Sequence, residues 1–230
     1  MEALFISEIF ASIQGEGALC GVPSVFVRTS GCNLRCDWCD TPYASWTPEG
    51  THSSVEEVIE EVTGHTKIRH AVLTGGEPML AKGLKPLSAE LKRRGWHITI
   101  ETAGTIYQEL PVDLLSISPK LSNSQPRRGP ESWKRRHEEA RMRPDIIARL
   151  MEMADHQLKF VVSNKRDLEE VDELIELLGP APAKVLLMPE GRSAERLDES
   201  ADWVVKACME RGWRFCDRLH VRLFGDTRGT

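Results

Sequence analysis

The chain has 230 residues, of which 40% are hydrophobic, and its formal net charge is −5 at pH 7. This length suits one sizeable hydrophobic core, so we expect a single domain over residues 1–230. No apolar run approaches the roughly 20 residues of a membrane span and the acidic N-terminus is unlike a secretion signal, so we expect a cytoplasmic protein without a membrane partner. The negative charge argues against nucleic acid as a partner.

Strand and helix patterns alternate along the chain. Short runs rich in β-branched residues predict strands at 24–30, 70–76, 97–104, 113–120, 156–163 and 183–191. Amphipathic spacing predicts helices at 53–64, 79–95, 144–155, 166–179 and 193–212. Too few residues separate the third and fourth strands for a crossover helix. We therefore predict an α/β fold, an open partial (β/α) barrel of about six parallel strands with an incomplete helical layer.

Two segments depart from this alternation. Residues 121–143 are rich in Lys and Arg and have little apolar periodicity. We expect them to form an exposed insertion, either a solvated loop or a lid or partner surface. Residues 214–230 are expected to be a C-terminal extension, with a final strand or edge segment before a polar end.

The most unusual short sequences follow directly after predicted strands. They are TSGCNLRC, TGGEP, ETAG, SPK and MPEG. In open parallel folds, ligands gather at the carboxyl ends of the strands. The sequence therefore predicts one shared site built from these five segments.

Three cysteines, Cys32, Cys36 and Cys39, lie close together in GCNLRCDWCDT. Thiolates are soft ligands that suit iron or zinc. Structural zinc usually takes four protein ligands, and the local sequence offers no fourth one. Three thiolates around a four-iron cluster would leave one iron open to a small chelating molecule. A zinc site completed by a distant residue is the alternative.

The pattern C-x3-C-x2-C, followed by GGEP at residues 75–78, resembles the radical S-adenosylmethionine enzymes. Further segments narrow the resemblance to the 7-carboxy-7-deazaguanine synthase family. They are IQGEG (13–17), FVRTSGCNLRCDWCDT (26–41), TGGEP, ETAG, SPK and LHVRLFGDTRGT (219–230). Together they span nearly the whole chain.

The resemblance implies a lyase that converts 6-carboxy-5,6,7,8-tetrahydropterin into 7-carboxy-7-deazaguanine with loss of ammonia, in queuosine and 7-deazapurine biosynthesis. It implies a 4Fe-4S cluster, S-adenosylmethionine and Mg²⁺ as cofactors. The reactive radical comes from S-adenosylmethionine, so no side chain is expected to be the catalytic group. A homodimer and an electron donor such as flavodoxin or ferredoxin are also implied.

The resemblance assigns residues to each ligand. Arg28 would bind the substrate carboxylate, since a planar guanidinium suits bidentate capture. The remaining substrate residues would be Ile13, Gln14, Gly15, Glu16, Thr74 and His220, and Thr41 would be the magnesium ligand. Iron would be bound by Cys32, Cys36 and Cys39. S-adenosylmethionine would contact Trp38, Cys39, Asp40, Gly75, Gly76, Glu77, Ser118, Pro119, Lys120, Met188 and Gly191.

Two other functions remain open on the sequence alone. An activase that installs a glycyl radical on a partner protein would need the same cysteine loop, but neither Arg28 nor IQGEG. A zinc-dependent RNA-binding module would use the basic residues Arg127, Arg128, Lys134, Arg135 and Arg136. The negative net charge and the lack of aromatic platforms beside these residues argue against RNA binding.

Overall fold

The computed structural model describes residues 3–230, and within that range the strands form one nine-stranded sheet. The strands are β1 (Ala3–Ile13), β2 (Pro23–Thr29), β3 (Thr51–Ser54), β4 (His70–Gly75), β5 (His97–Thr102), β6 (Leu114–Ile117), β7 (His156–Val162), β8 (Val185–Pro189) and β9 (Arg214–Phe215). Their spatial order is β3-β1-β2-β4-β5-β6-β7-β8-β9. Strands β2 and β4 to β9 are parallel, whereas β1 is antiparallel to β2 and β3.

The parallel part of the sheet confirms the predicted α/β fold. The six predicted strands correspond to β2 and β4 to β8, and the two-residue β9 adds a seventh parallel strand. The antiparallel strands β1 and β3 were not predicted. In β1 the side-chain alternation is interrupted by a bulge between Ile6 and Glu8, and one of its two partners, β3, lies beyond the cysteine loop. A periodicity argument misses a strand of this kind.

Eight α-helices are present in residues 3–230, besides four short 3-10 helices. The α-helices are α1 (Pro42–Ser45), α2 (Val55–Gly64), α3 (Leu84–Arg93), α4 (Glu131–Arg141), α5 (Pro144–Met153), α6 (Asp167–Leu178), α7 (Ala194–Arg211) and α8 (Leu219–Phe224). None of them is long and apolar enough to cross a membrane. The Ser54 hydroxyl accepts from the backbone of Glu57 and starts α2, while α6 and α7 end at the left-handed Gly179 and Gly212.

Two segments differ from the sequence predictions. The segment 121–143, expected as an exposed insertion, contains helix α4. The outer face of α4 is exposed, but His137 is completely buried, so the segment is packed onto the protein. In the C-terminal extension, β9 is followed by helix α8, which was not predicted, and then by the expected polar end in residues 225–230.

The two faces of the sheet carry different side chains. One face is apolar and contributes to the core shared with the helices through Leu73, Ile100, Leu115, Phe160 and Leu187. The neighbouring positions Thr74, Glu101, Ser116, Lys159 and Met188 line a cavity on the other face. Because successive side chains of a strand point to opposite faces, one register fixes both the core and the cavity.

The helical layer is incomplete where the sequence predicted it. No helix lies between β5 and β6, in residues 103–113. The gap is closed by direct packing at Gly104, which has φ 73°. A Cβ atom on this residue would lie 2.9 Å from side-chain atoms of both Ile117 and Ile147. Glycine is therefore required at position 104 for two separate reasons.

We predict that Gly104→Ala destabilises the protein more than Gly95→Ala. Gly95 has φ 77°, and a Cβ atom there would meet nothing within 4 Å. Its replacement should cost only the left-handed backbone penalty, about 1–2 kcal/mol. At Gly104 the clash with Ile117 and Ile147 should add about 1–3 kcal/mol. Urea unfolding of the two variants measures the difference, and equal losses would contradict the packing argument.

Candidate active site

The predicted site residues meet in one cavity of about 360 Å³ at the carboxyl ends of the strands. Those that line it are Ile13, Gln14, Gly15, Glu16, Arg28, Cys32, Cys36, Trp38, Cys39, Asp40, Thr41, Thr74, Gly75, Gly76, Ser118, Lys120, Met188 and His220. Glu77, Pro119 and Gly191 do not line it. The cavity also includes the C-terminal residues 225–230. Its size suits a small-molecule ligand.

The cysteine loop follows β2 and is fixed at several backbone positions. The Glu77 amide donates to the Gly31 carbonyl at 2.9 Å, and the Gly31 amide donates to the Ala44 carbonyl at 2.8 Å. On the far side of the loop, the Trp46 indole donates to the Cys36 carbonyl at 2.9 Å. The thiols are therefore carried on a backbone whose shape is set by neighbouring elements.

The three thiols of the loop are free and lie in apolar surroundings. Burial raises the pKa of the Cys32 thiol to about 12, and burial also raises the pKa of Cys36. Neutral thiols suit this apolar place until a metal displaces their protons. Among residues 3–230, no three His, Cys, Asp or Glu side chains converge closely enough to hold a single metal ion. Three soft donors on one cavity wall fit an iron-sulfur cluster.

Gly75 and Gly76 allow the end of β4 to lie directly against the cysteine loop. A Cβ atom on Gly75 would be 2.1 Å from the Thr29 carbonyl oxygen, and one on Gly76 would be 2.3 Å from that of Gly31. Gly75 also has φ 146°. These contacts explain why glycine is needed at both positions of GGEP, independently of any ligand.

The structure does not bring Glu77 into the cavity. Its carboxylate is 1% exposed and accepts hydrogen bonds from the Thr102 hydroxyl and from the amides of Ala103 and Met79. Burial raises the pKa of Glu77 above the ordinary carboxylate value. Glu77 therefore joins the ends of β4 and β5, and its contact with S-adenosylmethionine stays a prediction.

The segments after β6 and β8 fit their predicted places only in part. The Lys120 ammonium donates to the carbonyl and hydroxyl oxygens of Ser118, each at 2.8 Å, and lies 5.7 Å from the centre of the Trp38 ring. Pro119 is next to these residues but does not face the cavity. Gly191 also lies outside the cavity. It is packed against α7, because a Cβ atom on Gly191 would be 2.9 Å from the Arg196 side chain. The buried Met188 side chain provides an apolar wall.

A polar row crosses the floor of the cavity. Gln14, at the end of β1, donates to one carboxylate oxygen of Glu101 at 3.1 Å, and the Thr74 hydroxyl donates to the other at 2.9 Å. The Glu101 carboxylate is thus held by two neutral donors, one on the neighbouring strand β4 and one just after β1. It presents negative charge and acceptor atoms to a ligand with several N–H groups.

Glu16 is the centre of a buried ion cluster. Its carboxylate is paired with the Lys159 ammonium and with the Arg218 guanidinium, the latter at 2.9 Å. Arg218 also binds Asp40 and donates to the Gly191 carbonyl at 2.7 Å. Burial alone would raise the pKa of Glu16, but the two cations outweigh it and hold the pKa well below its usual value. Glu16 is therefore ionised at every physiological pH.

The Arg28 guanidinium is held from behind by Glu8. The two residues are cross-strand partners on β2 and β1, and the Nε of Arg28 lies 2.6 Å from the Glu8 carboxylate. The Tyr43 hydroxyl donates to the same carboxylate at 3.0 Å, and Arg228 of the C-terminal segment binds it at 3.2 Å. Among the residues that the structure describes, only the Nε of Arg28 has a hydrogen-bond partner, so the terminal nitrogens can form a bidentate pair.

Thr41 and His220 both line the cavity. The Thr41 hydroxyl does not cap α1 and is 3.8 Å from the Cys39 sulfur. His220, on α8, lies directly against Gly15. A Cβ atom on Gly15 would be 2.0 Å from the Nδ1 of His220. Burial lowers the pKa of His220, so the imidazole is neutral at pH 7.

The sequence analysis did not identify four charged residues of the site. They are Glu8, Glu101, Lys159 and Arg218. Lys159 and Glu101 left a detectable signal, because each is a charged residue inside an otherwise apolar predicted strand. Glu8 lies on a strand that was not predicted, and Arg218 has no local signal.

Comparisons with known proteins agree with this geometry. The radical SAM superfamily profile matches residues 26–178. A 7-carboxy-7-deazaguanine synthase of Rhodopirellula baltica is 46% identical over 99% of this chain and 89% of its own length. One from Halobacterium salinarum is 43% identical, covering 99% of this chain and 93% of its own. The crystal structure of QueE from Escherichia coli is similar with a TM-score of 0.71 and 27% identity, and 95% of each chain is covered. The chain therefore belongs to the radical SAM superfamily and, within it, to the 7-carboxy-7-deazaguanine synthase family.

Proposed function

We propose that this enzyme converts 6-carboxy-5,6,7,8-tetrahydropterin into 7-carboxy-7-deazaguanine with loss of ammonia, in the pathway to queuosine and related 7-deazapurines. One observation carries the proposal. The cysteine loop, the Arg28 guanidinium and the carboxylates of Glu16 and Glu101 all face the same small cavity. This combination matches a radical-generating centre beside a flat, anionic ligand that is rich in N–H donors.

The cofactors are a 4Fe-4S cluster, S-adenosylmethionine and Mg²⁺, as in the family to which the chain belongs. When bound, the cluster and S-adenosylmethionine would supply the carbon-centred radical that the reaction needs. Cys32, Cys36 and Cys39 would hold the cluster. Lys120 and Ser118 would contact S-adenosylmethionine, and the glycine-rich end of β4 offers it backbone groups.

Substrate recognition follows from the charges on the cavity floor. The free nitrogens of Arg28 would pair with the substrate carboxylate. The carboxylates of Glu101 and Glu16 would accept from the amino and ring N–H groups of the pterin, and the Gln14 amide offers both a donor and an acceptor. The apolar wall and the C-terminal segment would keep water away from the radical intermediate. Ile13, Gly15, Thr74 and His220 would complete the substrate contacts.

Thr41 would be the protein ligand of Mg²⁺, beside the substrate. Its hydroxyl is not used to cap α1 and lies on the cavity wall. Mg²⁺ usually keeps several waters and takes few protein ligands, so one hydroxyl together with substrate oxygens is a sufficient set. Asp40 is already paired with Arg218, so it would contribute through that ion pair rather than as a ligand of Mg²⁺.

The enzyme acts on a small molecule, and we propose further that it works as a homodimer in the cytoplasm and takes its electrons from a flavodoxin or a ferredoxin. The glycyl-radical activase has less support, because the charged cavity floor would have no task in it. The zinc-dependent RNA module has less support still, because the family to which the chain belongs uses the same three cysteines for a cluster.

The reaction itself is the first test. Anaerobic enzyme with a reconstituted cluster, S-adenosylmethionine, Mg²⁺ and dithionite should convert the carboxylated tetrahydropterin into a deazapurine detectable by mass spectrometry. The same preparation of Cys36→Ala should form neither this product nor 5′-deoxyadenosine, because the cluster would lose one of its thiolates. Cleavage of S-adenosylmethionine without any deazapurine would contradict the proposed substrate.

Substitution of Arg28 tests carboxylate recognition. We expect Arg28→Ala to weaken substrate binding by about 2–5 kcal/mol, the range for a buried charge pair that loses one partner. The unchanged enzyme and Arg28→Ala should bind a tetrahydropterin that lacks the carboxylate with nearly equal affinity. Glu8→Gln is the matched control, because it keeps an acceptor for the Arg28 Nε and should lose less affinity. An equal loss with both pterins would show that Arg28 does not bind the carboxylate.

Substitution of Thr41 tests the magnesium site. Thr41→Val keeps the shape of the side chain but removes the oxygen, so the Mg²⁺ concentration for half-maximal rate should rise roughly tenfold or more. Thr41→Ser keeps the oxygen and should respond to Mg²⁺ like the unchanged enzyme. An identical Mg²⁺ titration for Thr41→Val would place the metal elsewhere.

A further inference from the structure

The segment 126–136 is basic, although the chain as a whole is acidic. It contains Arg127, Arg128, Lys134, Arg135 and Arg136 against Glu131, which gives a net charge of +4. The rest of α4 adds Glu138, Glu139 and Arg141, so residues 126–141 together carry a net charge of +3. Since the whole chain has a net charge of −5, the residues outside 126–136 carry −9. This contrast concentrates positive potential on one region of an otherwise negative protein.

The basic segment is packed directly on the outside of the cysteine loop. The Asp37 amide donates to the Ser124 carbonyl at 3.0 Å, and the Arg127 amide donates to the Asp37 carboxylate at 3.2 Å. Ala140 of α4 packs against the apolar group formed by Leu34 and Cys36. Helix α4 therefore contacts the cysteine loop directly, without another helix between them.

His137 fixes this arrangement from inside. The Arg35 amide donates to its Nδ1 at 3.1 Å, so the other ring nitrogen carries the proton and donates to the Ser124 hydroxyl at 3.0 Å. His137 has no exposed surface. Because Arg35 is adjacent to Cys36 in the chain, α4 and the cluster-binding loop are held in one rigid unit.

The inner side of the cysteine loop is the substrate cavity, which is also lined by residues 225–230. Because Ala140 of α4 packs against the group that contains the three cysteines, a carrier bound to the basic segment would lie close to a cluster on these thiols. Electron transfer through protein falls steeply with distance, so a carrier must come close to the cluster. The residues that it would meet first are exposed, since the Arg127 side chain is 86% accessible.

We propose that the basic surface formed by residues 126–130 and α4 is the docking site of a small acidic one-electron carrier. This inference rests on the proposed function and specifies where its electron enters. A flavin carrier would give up one electron as its anionic hydroquinone becomes the neutral semiquinone, and the cluster would gain that electron. Opposite charges on the two surfaces would steer the encounter and set its orientation.

RNA fits the same surface less well. Single-stranded nucleic acid is usually bound by free aromatic faces beside basic residues. Here the two tryptophans of the region already have guanidinium groups on their rings. Arg35 lies 3.9 Å from the centre of the Trp133 ring, and Arg128 lies 4.8 Å from that of Trp46. An acidic protein surface needs no such platform.

The test is charge reversal on this surface, compared with the same change elsewhere. Arg127→Glu with Arg135→Glu alters the docking surface. Lys67→Glu with Lys206→Glu changes the net charge equally at two exposed sites, one just before β4 and one on α7. We expect the first pair to weaken binding of purified flavodoxin on the order of tenfold or more at low salt, as measured by calorimetry. The second pair should change it less than about twofold.

A second readout separates docking from chemistry. With dithionite as reductant, both double variants should form product at the rate of the unchanged enzyme, whereas only the first should lose flavodoxin-supported turnover. Unchanged flavodoxin affinity in the first pair would overturn the proposal. The proposal would also be overturned if this surface bound a labelled single-stranded RNA more tightly than flavodoxin. It would be overturned as well if the first pair of substitutions changed the oligomeric mass of the enzyme.

Failure of the proposed function has a different signature. If the unchanged enzyme made no deazapurine with dithionite, the flavodoxin affinities of the two double variants would still decide where flavodoxin docks. If the first pair lost dithionite-supported turnover as well, Arg127→Gln with Arg135→Gln would replace it in the binding measurement. Unaltered flavodoxin affinity and salt dependence in that neutral pair would overturn the proposal.

Discussion

Glu16 is paired with Lys159 and Arg218 inside the protein, and through these pairs distant parts of the chain are held at one place. Glu16 follows β1, Lys159 is in the centre of β7, and Arg218 precedes α8. Arg218 also binds Asp40 at the end of the cysteine loop. Buried charges are tolerated only when they are fully paired, and removing one partner typically costs about 3–5 kcal/mol. The cavity walls are therefore joined by charges that can be satisfied only when all of them are in position.

The same cluster keeps Glu16 ionised where a donor-rich ligand would lie. Two cations hold Glu16 ionised, while two neutral donors hold Glu101 in a fixed orientation. Neither carboxylate has to change its conformation to accept from a ligand, and such preorganised acceptors lower the cost of binding. Arg28 provides the opposite charge across the cavity, and Glu8 fixes its direction. The register of the sheet thus places negative and positive side chains at separate points of one small cavity.

Glu8 also connects the cavity to the C-terminal segment. Its carboxylate binds Arg28 with one oxygen and Arg228 with the other, and Arg228 lies 4.1 Å from the centre of the Tyr43 ring. The residue that orients Arg28 therefore also anchors the segment that lines the cavity opening. On the outer side, the cysteine loop is covered by α4 rather than by a loose insertion. The two sides of the loop thus differ, because one faces the cavity and the other is covered by α4.

The sequence by itself determined the parallel part of the sheet, most of the helices and the three thiols, because each of these depends on local patterns of a few neighbouring residues. It also located the ligand-binding segments, since parallel strands bring their carboxyl ends to one edge. Tertiary structure alone decided that Glu77 and Gly191 support the fold from outside the cavity, that β1 exists and carries Glu8, and that His137 buries α4 against the cysteine loop. These outcomes depend on partners far away in sequence: the Glu77 carboxylate binds groups on β5, and Arg218 meets Glu16 across 202 positions. A buried charge is defined by what surrounds it, and no local pattern contains that information.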